Sequence, residues 1–460
     1  MSGFQNVDRE TPFLLPPDVR DWLPENHLAR FVVDVVDQLD LKPLYDQYSG
    51  RGSKAADPAM MVALLFYGYA TGIFSSRKLE NATYESVPVR YICGNTHPDH
   101  DTIANFRKRF LTQIESYFVE ILLIAEKVGF HAVGNVSVDG SKFKANASKH
   151  SAMSYGRVVE LEKLLKDEVG RLLELALQTD ADERSELNIP EEIKLRENRL
   201  EKIRLAKEEI EKRAEKRDKL NREEYEQKIE ERREKEERTG RKIGGKEPSP
   251  PKTGPRDKDQ YNFTDPDSRI MKSGSTNAFE QDYNAQIAVD QDSLLIVGAD
   301  LSNNAFDRKE LIPALRSIPE EIGKPRSVAA DTGYFNKDNI KACEEYGVES
   351  FIAAGREKHY HTVERLLEKE TSLAALNLEG LSPKEAMKLK LKTKEGKEIY
   401  RRRKCTVEPV FGIIKQAMGY RQFLLRGIEN VRGEWCLLCS AYNLKRMFNL
   451  KMQQAIVSFS

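Results

Sequence analysis

Three acidic residues stand where a carboxylate could do chemistry: Asp139, Asp331 and Glu408. Asp139 closes the alternating run Asn135-Val136-Ser137-Val138-Asp139 and is followed at once by Gly140, which leaves open space around the carboxylate. Asp331 ends a second strand-like run, Ser327 to Ala330, and opens Asp331-Thr332-Gly333-Tyr334. Glu408 lies in the first turn of a helix that the apolar spacing predicts over Val407 to Met418. If the strands ending in Asp139 and Asp331 are neighbours in one sheet, their tips bring two carboxylates together and the helix supplies a third. Clustered carboxylates repel one another, so hard divalent cations best explain such a site. Two Mg²⁺ ions held by three carboxylates can activate water or a 3′-hydroxyl and stabilise the leaving oxygen of an in-line phosphoryl transfer. Against this stands a plainer reading, because an aspartate at a strand end is more often a turn former.

The elements that must position these residues can be read from periodicity. From about Asn26 to Phe130 the pattern is helical, with HLARFVVDVVDQLDL, PAMMVALLFYGYATGIF and TIANFRKRFLTQIESYFVEILLIAEKVGF showing apolar residues at three- and four-residue spacing. The third of these starts after Asp99, a good cap, and carries Arg107, Lys108 and Arg109 early, which suits either a DNA-facing helix or an ordinary solvated face. Residues 155–240 stay helical but highly charged, with Leu161, Leu164, Leu165, Leu172 and Leu175, then Leu200, Ile203, Ile210 and Ala214, as the apolar positions. Thr179 to Pro190 has turn chemistry, so the segment reads as an antiparallel, coiled-coil-like hairpin. Residues 241–260 are rich in Gly, Pro and Lys and read as a flexible return linker. Strands then resume at Tyr283 to Val289 and Leu294 to Ala299, joined by Asp290-Gln291-Asp292-Ser293. A helix (Asp307 to Ser317), the Ser327 strand, a helix (Asn336 to Tyr346) and a strand (Glu349 to Ala354) follow. The order of elements is that of a mixed α/β fold.

With 460 residues the chain has ample length for several domains. Its 74 basic and 74 acidic residues cancel, so only their distribution informs. Residues 191–240 hold 17 acidic and 17 basic residues, which concentrates the charge in the hairpin. The last 80 residues hold 17 basic against 6 acidic, an excess that a polyanion could bind and that acidic neighbours in space could equally balance. Five scattered cysteines and an N-terminus lacking a basic and apolar leader pattern point to a reduced, cytoplasmic protein. No apolar run reaches the ~18 residues that a membrane span needs.

The blocks VSVDGSKFKANAS, AADTGY and YRRRKCTVEPVFGIIK, in this order of elements, resemble the bacterial insertion-sequence DDE transposases. The third block is the most specific. Its residues Tyr400, Arg403 or Lys404, Glu408 and Lys415 resemble the family's signature of tyrosine, basic residue, catalytic glutamate and lysine, with Glu408 and Lys415 at the family spacing. That spacing puts the last two about two helical turns apart on one face. The basic position departs from the pattern by one residue, so Arg403 and Lys404 both qualify. PAMMVALLFYGYATGIFSSRKLE and PDHDTIANFRKRF are similar to the helical N-terminal domain of such transposases. Asp265-Pro266-Asp267, Tyr283-Asn284-Ala285-Gln286 and Ala441-Tyr442-Asn443-Leu444 match further family blocks.

The resemblance implies a ribonuclease H-like catalytic domain of 131–154 and 261–460, an N-terminal helical DNA-binding domain of 1–130, and the hairpin and linker of 155–260 as an insertion. It implies that Asp139, Asp331 and Glu408 bind two Mg²⁺ or Mn²⁺ ions. Lys415, Lys404, Arg403 and Tyr400 would position DNA phosphates, and the helix of Arg107, Lys108 and Arg109 would contact the terminal inverted repeats. Nicking would free a 3′-hydroxyl that attacks target DNA, with a homodimer joining two ends. A catalytically idle DNA-binding protein, or a nuclease that cuts without joining, would use the same fold.

Other groups of the right chemistry have plainer readings. Asp290, Asp300 and Asp307 read as turn and cap residues. Cys436 and Cys439 form a CxxC inside an apolar helical run with no second pair nearby, too few ligands for structural zinc. His359 and His361 could touch DNA or move a proton, and surface histidines with no role are commoner.

Overall fold

The computed structural model describes residues 19–48, 55–130, 133–179, 189–242, 244, 247–272, 278–355, 372, 373, 376, 378 and 380–459. Their contacts divide the chain into two compact units, 1–146 with 271–460, and 147–270.

The first unit opens with helices α1 (Leu28–Val36), α2 (Lys42–Tyr45), α3 (Pro58–Thr71), α4 (Ser76–Glu85), α5 (Val87–Ile92), α6 (His100–Arg109) and α7 (Leu111–Lys127), followed by β1 (Asn135–Lys144). The second unit carries β2 (Ala152–Ser154), α8 (Tyr155–Thr179), α9 (Ile189–Thr239) and β3 (Gln260–Asn262). After it come β4 (Arg269–Lys272), β5 (Phe279–Asp290), β6 (Ile296–Ser302), α10 (Leu311–Arg316), β7 (Ser327–Ala330), α11 (Lys337–Tyr346) and β8 (Glu349–Ile352). The chain closes with α12 (Pro383–Lys390), α13 (Lys394–Lys404), α14 (Val407–Gly412) and α15 (Ile428–Phe459).

Helix α3 is apolar on every side because it is buried on every side, from Met61 through Ala70. Its bounds are local chemistry. Asp57 accepts from the Met60 N–H at 3.0 Å, Pro58 fills the first turn, and Gly72 ends the helix in the left-handed region at φ 86°. The long helix α15 packs on α3 and α7, and Lys445 Nζ donates to the Ala70 carbonyl at 3.0 Å. The N-terminal helices therefore share one compact unit with the sheet and α15. Among the described residues no single helix is long and apolar enough to cross a membrane.

The main sheet runs β4-β5-β1-β7-β8, with β6 also paired to β5. β5 and β6 form the expected hairpin, and Asp290 is its turn former, accepting from Ser293 N at 2.8 Å and Ser293 Oγ at 2.7 Å. β5 lies antiparallel to β1, with Ile287 opposite Asp139, Gln286 opposite Gly140 and Asn284 opposite Lys142. β1 lies parallel to β7, and β7 parallel to β8. This is the ribonuclease H-like order, in which an antiparallel β6-β5-β1 ladder continues into parallel β7 and β8. Buried runs such as Val136 and Val138, Tyr283 to Val289 and Val328 to Ala330 explain why both faces are covered.

Two predicted helices differ in detail. The one expected over Asp307 to Ser317 is a 3₁₀ turn, Asp307–Lys309, and then the shorter α10. The one expected over Val407 to Met418 widens after α14 into a π turn, Ile413–Ala417. Asp300 lies within β6, opposite Gln286, rather than in a turn or cap.

In the second unit α8 and α9 form a helical hairpin whose base is a core of Val158, Leu161, Leu165, Leu200, Ile203 and Ile210, with Met153, Tyr155 and Tyr261 against it. Charge pairs flank this core. Glu162 accepts from Lys166 on its own helix at 2.6 Å and from Lys207 of α9 at 2.9 Å, and these bonds pull its carboxyl down to about 2. Leu164 and Leu175, expected in the seam, are exposed.

Candidate active site

Asp139 does not end its strand, although its run of residues suggests so: β1 continues through it to Lys144, and only the parallel pairing with β7 stops at Ser137 and Ala329, which leaves Asp139 beside Asp331, the residue just past the end of β7. Asp139 Oδ1 accepts from the Gly140 N–H at 2.9 Å. Burial and the charge of Asp331 push the Asp139 carboxyl up to about 7, while Arg403 and the Gly140 N–H pull it the other way. Asp331 caps the 3₁₀ turn Thr332–Tyr334, its Oδ1 accepting from the Gly333 N–H at 2.7 Å. Glu408 sits in the first turn of α14 with its side chain 57% exposed.

Between them reaches Arg403, buried at the end of α13. Its Nη1 is 3.5 Å from Asp139 Oδ2 and its Nη2 is 3.9 Å from Glu408 Oε1. Both contacts are long, and Nε is buried with no hydrogen-bond partner. A positive charge is thus loosely held between two carboxylates, Asp139 and Glu408. That pattern, hard oxygen donors with a raised carboxyl and an under-satisfied guanidinium, fits a divalent cation at Asp139 and Asp331. As the side chains stand, no three His, Cys, Asp or Glu residues among those described converge to metal-binding distance.

The structure separates the two candidate basic residues. Arg403 faces the carboxylates and stacks near Tyr400, 5.8 Å from the ring centroid, whereas Lys404 is exposed. Lys415 is turned inward. Its Nζ donates to Ser141 Oγ at 2.6 Å and to the Lys142 carbonyl at 2.9 Å, and it lies 4.4 Å from the Phe143 ring centroid. Burial pushes its ammonium pKa down, with Asp282 opposing. The π turn breaks the simple two-turn relation between Glu408 and Lys415 that unbroken α-helix geometry predicts.

On α6 the expected trio divides. Arg107 is buried, its Nη1 donating to the Phe74 carbonyl at 2.9 Å and to Tyr69 OH at 3.2 Å, while Tyr69 OH donates to buried Glu434 at 3.0 Å. This corrects its place in the DNA-facing set, because a guanidinium enclosed in a core network has no surface to offer a groove. Lys108 is exposed, and Arg109 donates to the Gln47 carbonyl at 3.1 Å and lies over the Tyr48 ring. His359 and His361 lie outside the described residues. Cys436 and Cys439 lie inside α15, where burial pushes the Cys436 thiol up to about 12.

A polar cluster on the other face of the strand pair was not foreseen as part of the site. Asp307 Oδ1 accepts from Asn284 Nδ2 at 2.7 Å, Gln286 Nε2 at 3.0 Å and Lys142 Nζ at 3.2 Å, and Gln286 in turn accepts from buried Tyr334 OH. The available signal was two polar residues, Asn284 and Gln286, recurring with period two inside a strand otherwise fit for the core.

Comparison with known proteins agrees with this geometry. A family described as Transposase domain (DUF772) matches residues 17–109, and one described as Transposase DDE domain matches residues 249–444. The second match takes in Asp331 and Glu408, and ends after the Ala441-Tyr442-Asn443-Leu444 block. No curated protein and no solved structure matches the chain. Helices α1 to α6 in the one match and the sheet from β4 onward in the other lead to one conclusion: the chain belongs to the insertion-sequence DDE transposases.

Proposed function

We propose that this transposase nicks DNA at the ends of its element and joins the freed 3′-hydroxyl to target DNA, with Asp139, Asp331 and Glu408 as the metal-binding carboxylates. The observation that carries the reading is Asp139, within β1, beside Asp331 at the end of β7, its carboxyl held up to about 7 by burial and by that neighbour. A site that keeps two repelling carboxylates together is poised to gain from a divalent cation. Asp139 and Asp331 would hold Mg²⁺ or Mn²⁺, with Glu408 as the third donor. Bound there, such ions supply activation of the attacking hydroxyl and stabilisation of the leaving oxygen.

The chain's own residues do the positioning. Arg403 neutralises Asp139 and Glu408 before substrate arrives and is placed to meet a phosphate once a cation takes over that charge. Tyr400 supports the guanidinium, and exposed Lys404 offers a further phosphate contact. Lys415 braces β1 through Ser141 and Lys142, keeping the strand that carries Asp139 in register. Lys108 and Arg109 on α6 are left to contact the inverted repeats. Joining two ends requires two sites held together, so a homodimer at synapsis belongs to the reading.

The test is Mg²⁺-dependent nicking and strand transfer on a labelled duplex carrying the element's end. Wild type should nick and join, and Asp139→Ala, Asp331→Ala and Glu408→Ala should each lose at least about a thousandfold while still shifting the duplex. A wild type that binds ends but neither nicks nor joins overturns the catalytic reading. Nicking without joining reduces it to a nuclease, and full activity in one variant removes that carboxylate from the set.

A further inference from the structure

Resting on that reading, we infer that Asp307 is a positioning residue, locking the Asp331 turn to the strand that carries Asp139 from the reverse side of the sheet.

In a strand, alternate residues face opposite sides, so Gly140 and Lys142 face away from Asp139. Across the ladder they oppose Gln286 and Asn284. Asp307 gathers this face, its Oδ1 taking hydrogen bonds from Lys142 on β1 and from Asn284 and Gln286 on β5. The strand pair is thereby tied to the 3₁₀ turn Asp307–Lys309 that precedes α10.

The tie continues to the neighbouring tip. Gln286 uses its amide nitrogen on Asp307 and its carbonyl oxygen on Tyr334 OH. Tyr334 is fully buried and ends the short turn that Asp331 begins. Burial and the nearby carboxylates push its phenol pKa well up, so it remains a neutral donor. A second bridge runs in parallel. Asn339 Nδ2 donates at 2.8 Å both to the Arg308 carbonyl, next to Asp307, and to the Tyr334 carbonyl. Two routes thus join the Asp307 turn to the Asp331 turn, and the first passes through the strand pair that holds Asp139.

The glycine after Asp139 belongs to the same device. A Cβ at Gly140 would lie 2.2 Å from Gln286 Nε2 and 2.9 Å from Asp307 Oδ1. Only a residue without a side chain lets the amide and carboxylate close over the strand directly behind Asp139. The hydrogen bonds of Asp307 run to Lys142, Asn284 and Gln286, so its hold on the reaction is through where it keeps the strand pair and the Asp331 turn. Misplacing a reacting group by about 1 Å costs on the order of a hundredfold.

The experiment uses the full chain with Asp307→Ala, Asp307→Asn and Tyr334→Phe. Hydrogen exchange should rise selectively in peptides over residues 331–340 for Asp307→Ala and Tyr334→Phe, with 431–444 on α15 unchanged. Asp307→Asn, whose amide oxygen can still accept from Asn284 and Gln286, should stay near wild type. Nicking should follow the same order. For Asp307→Ala kcat should fall about ten- to a hundredfold with the KM for the end duplex unchanged, and Asp307→Asn should recover most of it. Exchange that is unchanged, or that rises equally on α15, overturns the lock, as does an Asp307→Ala enzyme with wild-type kcat. If the wild type proves not to nick, the catalytic reading falls while the exchange pattern still decides whether Asp307 holds the turn.

Discussion

Two carboxylates of this chain, Asp139 within the sheet and Glu162 on the hairpin, have opposite fates. Asp139 is half-buried beside another aspartate, answered by the Gly140 N–H and one long guanidinium contact, and its carboxyl is pushed up to about 7. Glu162 accepts from two lysines at 2.6 and 2.9 Å, and its carboxyl is drawn down to about 2. The charge of Glu162 is resolved within the hairpin, which suits a structural element. Around Asp139 charge is left unresolved, the electrostatic mark of a site for a ligand of opposite sign.

The largest test of that contrast is Asp139→Asn. It should abolish nicking, by about a thousandfold or more, yet stabilise the cation-free protein at pH 8 by about 1–3 kcal/mol in a urea melt. Loss of stability on this substitution would show that Asp139 is resolved after all. Next comes a control in the same unit, Arg107, whose Nη1 is held by hydrogen bonds of 2.9 and 3.2 Å. Arg107→Met opens the buried Tyr69 and Glu434 network and should cost about 3 kcal/mol of stability, with any fall in end binding following the unfolded fraction.

The two carboxyls should also respond to pH in opposite directions. The raised pKa of Asp139 means that its ionisation weighs against the folded state, so its stability contribution is lost as pH rises from about 4 through 7. Cations compete with that proton, so Mn²⁺ affinity read by paramagnetic resonance should climb between about pH 6 and 8. The depressed pKa of Glu162 stabilises above about pH 4.5 and is lost as pH falls toward 2. Circular dichroism of α8 and α9 in acid, compared with Glu162→Gln, reads this, and the substitution should cost only about 1 kcal/mol at neutral pH. The smallest expected effect is Lys108→Ala, about a threefold loss of end affinity by gel shift with unchanged stability.

Much of the fold was legible because local chemistry and periodicity agreed. The Ser327–Ala330 strand, the caps at Asp57, Asp99 and Asn336, and the hairpin turn at Asp290 follow from residue types a few positions apart. The hairpin helices were equally clear, although which leucines face the seam was not, since Leu164 and Leu165 compete for it by sequence alone. The three acidic residues could be singled out by sequence because each lies in a recognisable block, although Asp139 is carried within its strand where Asp331 ends one and Glu408 opens a helix.

What lay beyond the sequence was every property that depends on who sits across the sheet or inside the core. Arg107, Lys108 and Arg109 are three adjacent cations in sequence, yet only tertiary packing encloses the first with Tyr69 and Glu434 and leaves the second exposed. Arg403 and Lys404 were equivalent until α13 was placed against β1. Asp307 read as a cap, because the residues that give it a role, Lys142, Asn284 and Gln286, lie 165, 23 and 21 positions away. Sequence determined which residues could carry charge and how each segment would fold on itself. The tertiary structure decided which of those charges are answered and which are left for a ligand, because electrostatic energy depends on distance and burial, and neither runs along the chain.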